Sequence, residues 1–253
     1  LQPSTMLWEA TAATVRKALA TAHVKAIGAI GLSSQMHGTV LYDARGEIIE
    51  PVINWQDKRA DIPLARHGNQ TTIEVMTGLL SAAELADLGV DTLASGFLGA
   101  TLFHIKENDP ALFDQIRHVV LPGDFIRGKL LGACDYATDQ TNAFGAGLFN
   151  TRLNQWHESV IRKLGLPYAI LPRVHDTAEI AGLTPESVAH DLGLEPGVPV
   201  IYGGGDNQMS LLGNGLISGA SPALLNIGTG AQVSKVTPHY VRMAGIDTRS
   251  YFH

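Results

Sequence analysis

The residues with the strongest claim to chemistry surround Asp206. The stretch from Val198 to Leu212 reads Val-Pro-Val-Ile-Tyr-Gly-Gly-Gly-Asp-Asn-Gln-Met-Ser-Leu-Leu. Its short apolar run, bounded by Pro199 and three glycines, predicts a buried strand. The spacing of Met209, Leu211 and Leu212 then predicts a helix ending near Gly213. Asp206 therefore stands where a strand hands over to a helix, at the strand's carboxyl end, where open α/β sheets bind ligands. Gly203, Gly204 and Gly205 allow a ligand close to the backbone, and the amides of a helix start favour an ionised carboxylate. Two roles fit Asp206: a general base that accepts a proton from a hydroxyl, or a helix cap.

Four other stretches carry polar chemistry. Ile227-Gly228-Thr229-Gly230 sets a threonine hydroxyl between bare glycine amides at an expected hairpin tip. Such a tip is either an anion nest that holds phosphate or an ordinary turn. Met36-His37 follows an apolar run, and neither an HExxH pattern nor a Cys/His ligand spacing accompanies it, so no metal site is expected. Trp55 with Asp57 and Arg59 offers an aromatic face beside two charges, which suits a polyol; a half-buried Trp beside a surface ion pair fits equally. Thr138-Asp139-Gln140-Thr141-Asn142 is a dense polar loop whose plain reading is an exposed Asx-turn.

These residues need elements to hold them. Ser4 can cap a helix with Trp8, Ala12, Val15 and Leu19 on one face, ending near His23. Ala26 to Ser33 predicts a buried strand, and Thr39 to Tyr42 with Ile48 to Ile53 predicts a hairpin across Asp43-Ala44-Arg45-Gly46. From Asp61 to Asp91 the pattern is loosely helical. A helix is expected over Gly96 to Asn108, and Asp109-Pro110 restarts another. Val119 to Pro122 is a short apolar run, Asp124 is expected to cap a helix to Leu131, and Gly132 to close it. A polar loop over 133–146 follows, then a helix capped by Asn154 and one opened by Thr184-Pro185-Glu186. Pro222 to Gly228 and Gln232 to Val236 predict a hairpin. Strands and helices alternate without a fixed repeat, so the class is α/β.

The totals exclude several functions. The 253 residues carry a net charge of -6 without a basic run, which argues against nucleic acid as a partner. Apolar content of 45% and charged content of 17% suit a folded soluble protein. Cys134 is the only cysteine, so no internal disulfide forms and a reducing, cytoplasmic setting is expected. Between Asp206 and Lys235 there is no charge, but Asn, Gln, Ser, Gly and Pro recur too often for a membrane span. No secretory leader is recognised.

Taken together, seven stretches resemble the FGGY family of carbohydrate kinases, in that family's order over nearly the whole chain. They are Gly31 to Gly38, Trp55 to Arg59, Leu121-Pro-Gly-Asp124, Thr138 to Ala143, Phe149-Asn150-Thr151 with Trp156, Gly204-Gly-Asp-Asn207, and Asn226-Ile-Gly-Thr-Gly230. Met36-His37 is similar to the pair of ketose kinases, where glycerol kinases carry Arg-Glu. Gly96 falls where glycerol kinases carry a sugar-contacting tyrosine, and loss of that ring is expected to make room for a longer substrate. The segment Ser95 to Leu102 is most similar to sedoheptulokinase-like members, and Leu121 to Asp124 to xylulokinases.

The resemblance implies an actin-like, ribonuclease-H-type fold, a mixed sheet flanked by helices. It implies ATP-dependent phosphorylation of a primary hydroxyl of a sedoheptulose- or xylulose-like ketose, with Mg²⁺ on the ATP phosphates. Asp206 would be the base, and Gly228, Thr229 and Gly230 would hold phosphate. Met36, His37, Trp55, Asp57, Asp139, Gln140 and Asn207 would contact the sugar. Residues 1–243 would form an N-terminal sugar-binding domain whose first strands, with an Asp-x-Gly-Thr motif, lie before Leu1. Residues 244–253 would begin the crossing to an ATP-binding domain, leaving this fragment inactive alone. A homodimer is a further expectation. The competing class is a non-catalytic sugar sensor on an actin-like fold.

Overall fold

The computed structural model describes residues 1–22, 24, 26–227 and 231–252. Its first helix, Ser4–Ala22, buries Ala12 and lays Trp8 and Val15 against Leu130, Leu192 and Val200, the face its spacing predicts. Thr39–Tyr42 is the middle strand of an antiparallel sheet, between Ile48–Ile53 and His118–Val120. All four of its residues are buried, which explains the unbroken apolar run. The principal core gathers Leu98, Leu102, Phe103, Leu121, Phe149, Ile161 and Leu164.

The layer that positions Asp206 is parallel. Ile30 bridges Val200, Ser33 pairs with Gly204, and Ser34 with Gly205. The regular strand here is only Ser33–Ser34, shorter than the expected run from Ala26, because Gly28 and Gly31 bring no side chain to pack. Pro199–Ile201 pairs on its other side, antiparallel, with Ile180–Leu183. Leu224–Ile227 and Ala231–Ser234 form the expected antiparallel hairpin, whose tip lies outside the described residues.

Within the loosely helical stretch, capping boxes start two helices. Thr71 with Glu74 opens Thr72–Leu79, and Ser81 with Glu84 opens Ala82–Asp87. Pro122–Leu131 begins at its proline, so Asp124 lies inside the first turn rather than at the cap; Gly132, at φ 67°, closes the helix as expected. The helix expected from Asn154 starts instead at Glu158. Asn154 adopts a left-handed φ of 57° in the turn between Phe149–Asn150 and Gln155–Trp156.

The largest correction concerns 133–146. This polar loop contains a strand, Ala137–Asp139, parallel to Arg173–His175, and a helix, Gln140–Phe144. Every residue from Ala137 to Phe144 is buried. Polarity misled here because Asp139, Thr141 and Asn142 bond to one another, and Gln140 to the Tyr251 carbonyl, inside the protein rather than to water.

Candidate functional site

The three glycines before Asp206 are each closely approached by a neighbour. Gly203 has φ 78°, and a Cβ there would run into the Leu32 carbonyl. The Gly204 N–H donates to Leu32 O at 2.9 Å, and the Gly205 N–H to the Thr141 hydroxyl at 2.9 Å. Gly205 is the N-cap of Asp206–Gly213, so Asp206 is the first helical residue and not the cap. Its carboxylate is exposed, with one oxygen accepting the Asn207 N–H at 2.8 Å. That contact helps to orient the group and leaves it open to solvent.

Met36 and His37 stand beside it. Met36 is buried, and a Cβ on Gly205 would lie 2.6 Å from its Cγ and 2.9 Å from its sulfur. His37 holds a left-handed φ of 68°, stacks on Phe97 with ring centroids 4.6 Å apart, and brings Nδ1 to 2.8 Å from Gly145 O. A carbonyl only accepts, so Nδ1 carries the hydrogen and the neutral ring offers Nε2 as an acceptor. Burial lowers the His37 pKa, and the Arg249 charge adds to this; Gly145 O, Asp206 and Asp247 pull the other way. The ring is therefore neutral at neutral pH, and Asp206 is close enough for its charge to act on it.

Trp55 is half exposed, at 50%. Its backbone fills the place beside Gly96, where a Cβ would run into the Trp55 carbonyl, and Gly96 O in turn accepts the Gly38 N–H at 3.1 Å. The room expected from the missing ring at 96 is thus taken by the Trp55 backbone. Asp57 forms a two-pronged pair with Arg59, at 2.8 and 3.1 Å. Burial pushes the Asp57 pKa up, but the Arg59 guanidinium and backbone N–H outweigh it and hold the carboxyl below its ordinary value. A hydroxyl reaching Asp57 would share it with Arg59.

Two expected sugar contacts are corrected. Asp139 is fully buried, and its oxygens accept from the backbone N–H groups of Thr141 and Asn142, from the Thr141 hydroxyl and from Asn142 Nδ2. It caps Gln140–Phe144 and does not face a cleft. Gln140 is also buried, and its Nε2 donates to Tyr251 O at 2.8 Å. Asn207, half-buried, follows Asp206 into the helix. The phosphate-binding candidates Gly228, Thr229 and Gly230 lie outside the described residues.

Some neighbours of the site were not signalled by sequence. Gln208, buried, donates to Ser250 O at 3.2 Å, and the Arg249 guanidinium lies 5.5 Å above the Phe144 ring. Both contacts join parts of the chain too distant in sequence for local spacing to reveal. Among the described residues, no three His, Cys, Asp or Glu side chains group as a metal would require. No described helix is long and apolar enough to cross a membrane. A concavity of about 550 Å³ lined by Asp43, Arg45, Arg117, His118, Cys134 and Tyr136 contains none of the expected site residues.

Residues 2–213 match the family model described as the FGGY family of carbohydrate kinases, N-terminal domain. A xylulose kinase of Escherichia coli (strain K12) is 28% identical, over 97% of this chain and 48% of its own. A glycerol kinase of Polaromonas sp. is 32% identical, over 88% of this chain and 44% of its own. The crystal structure of a xylulose kinase from Rhodospirillum rubrum superposes with TM-score 0.79 at 22% identity, covering 93% of this chain and 47% of that one. That likeness fixes the fold as the actin-like one of these kinases, and the chain spans about half the length of the curated relatives it matches.

Proposed function

Because this chain belongs to the FGGY family of carbohydrate kinases, we propose that the complete protein phosphorylates a primary hydroxyl of a ketose, xylulose- or sedoheptulose-like, with ATP as donor. The observation that carries the reading is the convergence of Met36, His37 and Asp206 on the glycine strand end. Asp206, exposed at a helix start, accepts the proton of the attacking hydroxyl. The sugar oxygen forms its bond to the γ-phosphorus as the bond to the ADP oxygen breaks. His37, neutral with its Nε2 lone pair available, accepts a hydrogen bond from a second hydroxyl. The exposed Trp55 ring offers a face for the sugar C–H groups.

Mg²⁺ on the ATP phosphates would screen their charge; no described cluster supplies its ligands, so no step is assigned to it. Asp139 and Gln140 drop out as sugar contacts. The test is a coupled assay on the complete protein with xylulose, sedoheptulose, ribulose and glycerol. Five- to seven-carbon ketoses are expected to give the higher kcat/KM. Glycerol as the best acceptor would overturn the substrate reading, and ketose binding without turnover would overturn the kinase.

A further inference from the structure

The Thr138–Asn142 motif retains a buried carboxylate and hydroxyl that the sugar site does not use. Gly205 pairs with Ser34 in a short parallel ladder, yet its N–H is taken by a side chain, the Thr141 Oγ1 at 2.9 Å. Thr141 is completely buried, and its hydroxyl donates to Asp139 Oδ1. All four contacts on the Asp139 oxygens come from donors; burial raises the Asp139 pKa, and these Thr141 and Asn142 donors pull it back down. A hydroxyl that donates to a carboxylate becomes a better acceptor for its own partner. A Cβ at Gly204 would sit 2.8 Å from the same oxygen, so the hydroxyl lies flat against the 204–205 backbone.

We infer that Thr141 is a positioning residue: backed by Asp139, its hydroxyl fixes the peptide that immediately precedes Asp206. The inference rests on the kinase reading for its consequence, though not for its geometry. On one side Met36 packs against Gly205, and on the other the Thr141 oxygen holds its N–H. Asp206 begins the helix one residue later, so a shift of the Gly205 peptide carries the carboxylate with it. A misplacement of about 1 Å costs turnover far more than it costs binding of the sugar.

The experiment uses Thr141→Val, which keeps the shape and removes the hydroxyl, and Thr141→Ser, which keeps the hydroxyl, both in the complete protein. Thr141→Val is expected to lower kcat about 10- to 100-fold with the ketose KM within about threefold. Thr141→Ser is expected to keep both within about threefold of the parent. Hydrogen exchange of the peptide spanning 203–208 is read alongside, and only Thr141→Val should accelerate it. Unchanged exchange in Thr141→Val, or equal losses of kcat in both variants, would overturn the inference. If the parent phosphorylates no sugar, the kinase reading fails separately, and the exchange comparison still decides whether the hydroxyl holds Gly205.

Discussion

Arg127 is completely buried, and replacing it tests how the floor of the site is held. Its Nη1 donates to Asp124 Oδ1 at 2.8 Å, its Nε to Asp135 Oδ2 at 2.9 Å and its Nη2 to Ala137 O at 2.5 Å. The guanidinium also lies 4.5 Å over the ring of Tyr202, the residue before Gly203. One side chain thus ties Pro122–Leu131 to the strand that ends in Asp139 and to the run that ends in Asp206. Burial pushes the Asp124 pKa up to about 6 although Arg127 pulls it down, and nearby Asp139 raises it further. Burial works against the Arg127 charge too, but Asp124 and Asp135 together hold its pKa above the ordinary value. The two shifts point opposite ways: the carboxylates stabilise the Arg127 charge, whereas for Asp124 the loss of water outweighs the attraction of Arg127.

Arg127→Met keeps most of the volume and leaves Asp124 buried with the Leu121 N–H as its remaining hydrogen-bond donor. Breaking a buried pair from one side costs about 3–5 kcal/mol, a large share of the roughly 5–15 kcal/mol that holds a domain together. Adding Asp124→Asn removes the stranded charge and keeps an acceptor for Leu121, while Asp135 retains some solvent and Arg173 at 3.9 Å. The double variant should therefore lie within about 1–2 kcal/mol of the parent. Urea unfolding at pH 7 followed by circular dichroism measures both. A double variant as unstable as Arg127→Met alone would refute the reasoning. The pH arm has a definite sign. The folded pKa of about 6 exceeds the unfolded 3.8, so the folded state holds this proton more tightly. The associated stability is full below about pH 4 and is lost as pH rises through about 6. Asp124→Asn should flatten that slope.

Two further perturbations are informative. Burial raises the Glu84 pKa, but Lys163 at 2.6 Å, the Ser81 N–H and the Ser159 hydroxyl outweigh it and hold the carboxyl at about 2. Because the folded pKa is depressed from 4.5, its stabilisation is present above that value and lost as pH falls toward about 2. Glu84→Gln should cost about 2–3 kcal/mol at pH 7 and little at pH 2.5 in thermal melts; an equal loss at both would contradict the cause. Gly96→Ala drives a methyl into the Trp55 carbonyl. It should lower stability by about 1–3 kcal/mol and weaken ketose binding, read by melting and calorimetry. A variant identical to the parent would show that Trp55 does not need that space.

Legibility in the sequence followed locality. Asp206–Gly213, Thr39–Tyr42, Ile48–Ile53 and the Gly132 helix end were readable because each is set by apolar spacing or by a residue with a special φ. The 138–142 stretch was not readable as core. Composition marks Thr, Asp, Gln and Asn as solvent-facing, and only long-range partners such as Gly205 and Tyr251 show otherwise. For the site, the pairing of Met36-His37 with Asp206 followed from the family resemblance, not from periodicity. The crowding of Gly96 by Trp55 joins residues far apart in sequence, which no local pattern reports.

The most direct measurement replaces Asp206 by Asn in the complete protein and records ketose affinity by calorimetry beside turnover in the coupled assay. Loss of the proton acceptor should lower turnover by about 10²–10⁴-fold while the ketose dissociation constant stays close to the parent's. Turnover near that of the parent would remove Asp206 from the chemistry and the proposed mechanism with it.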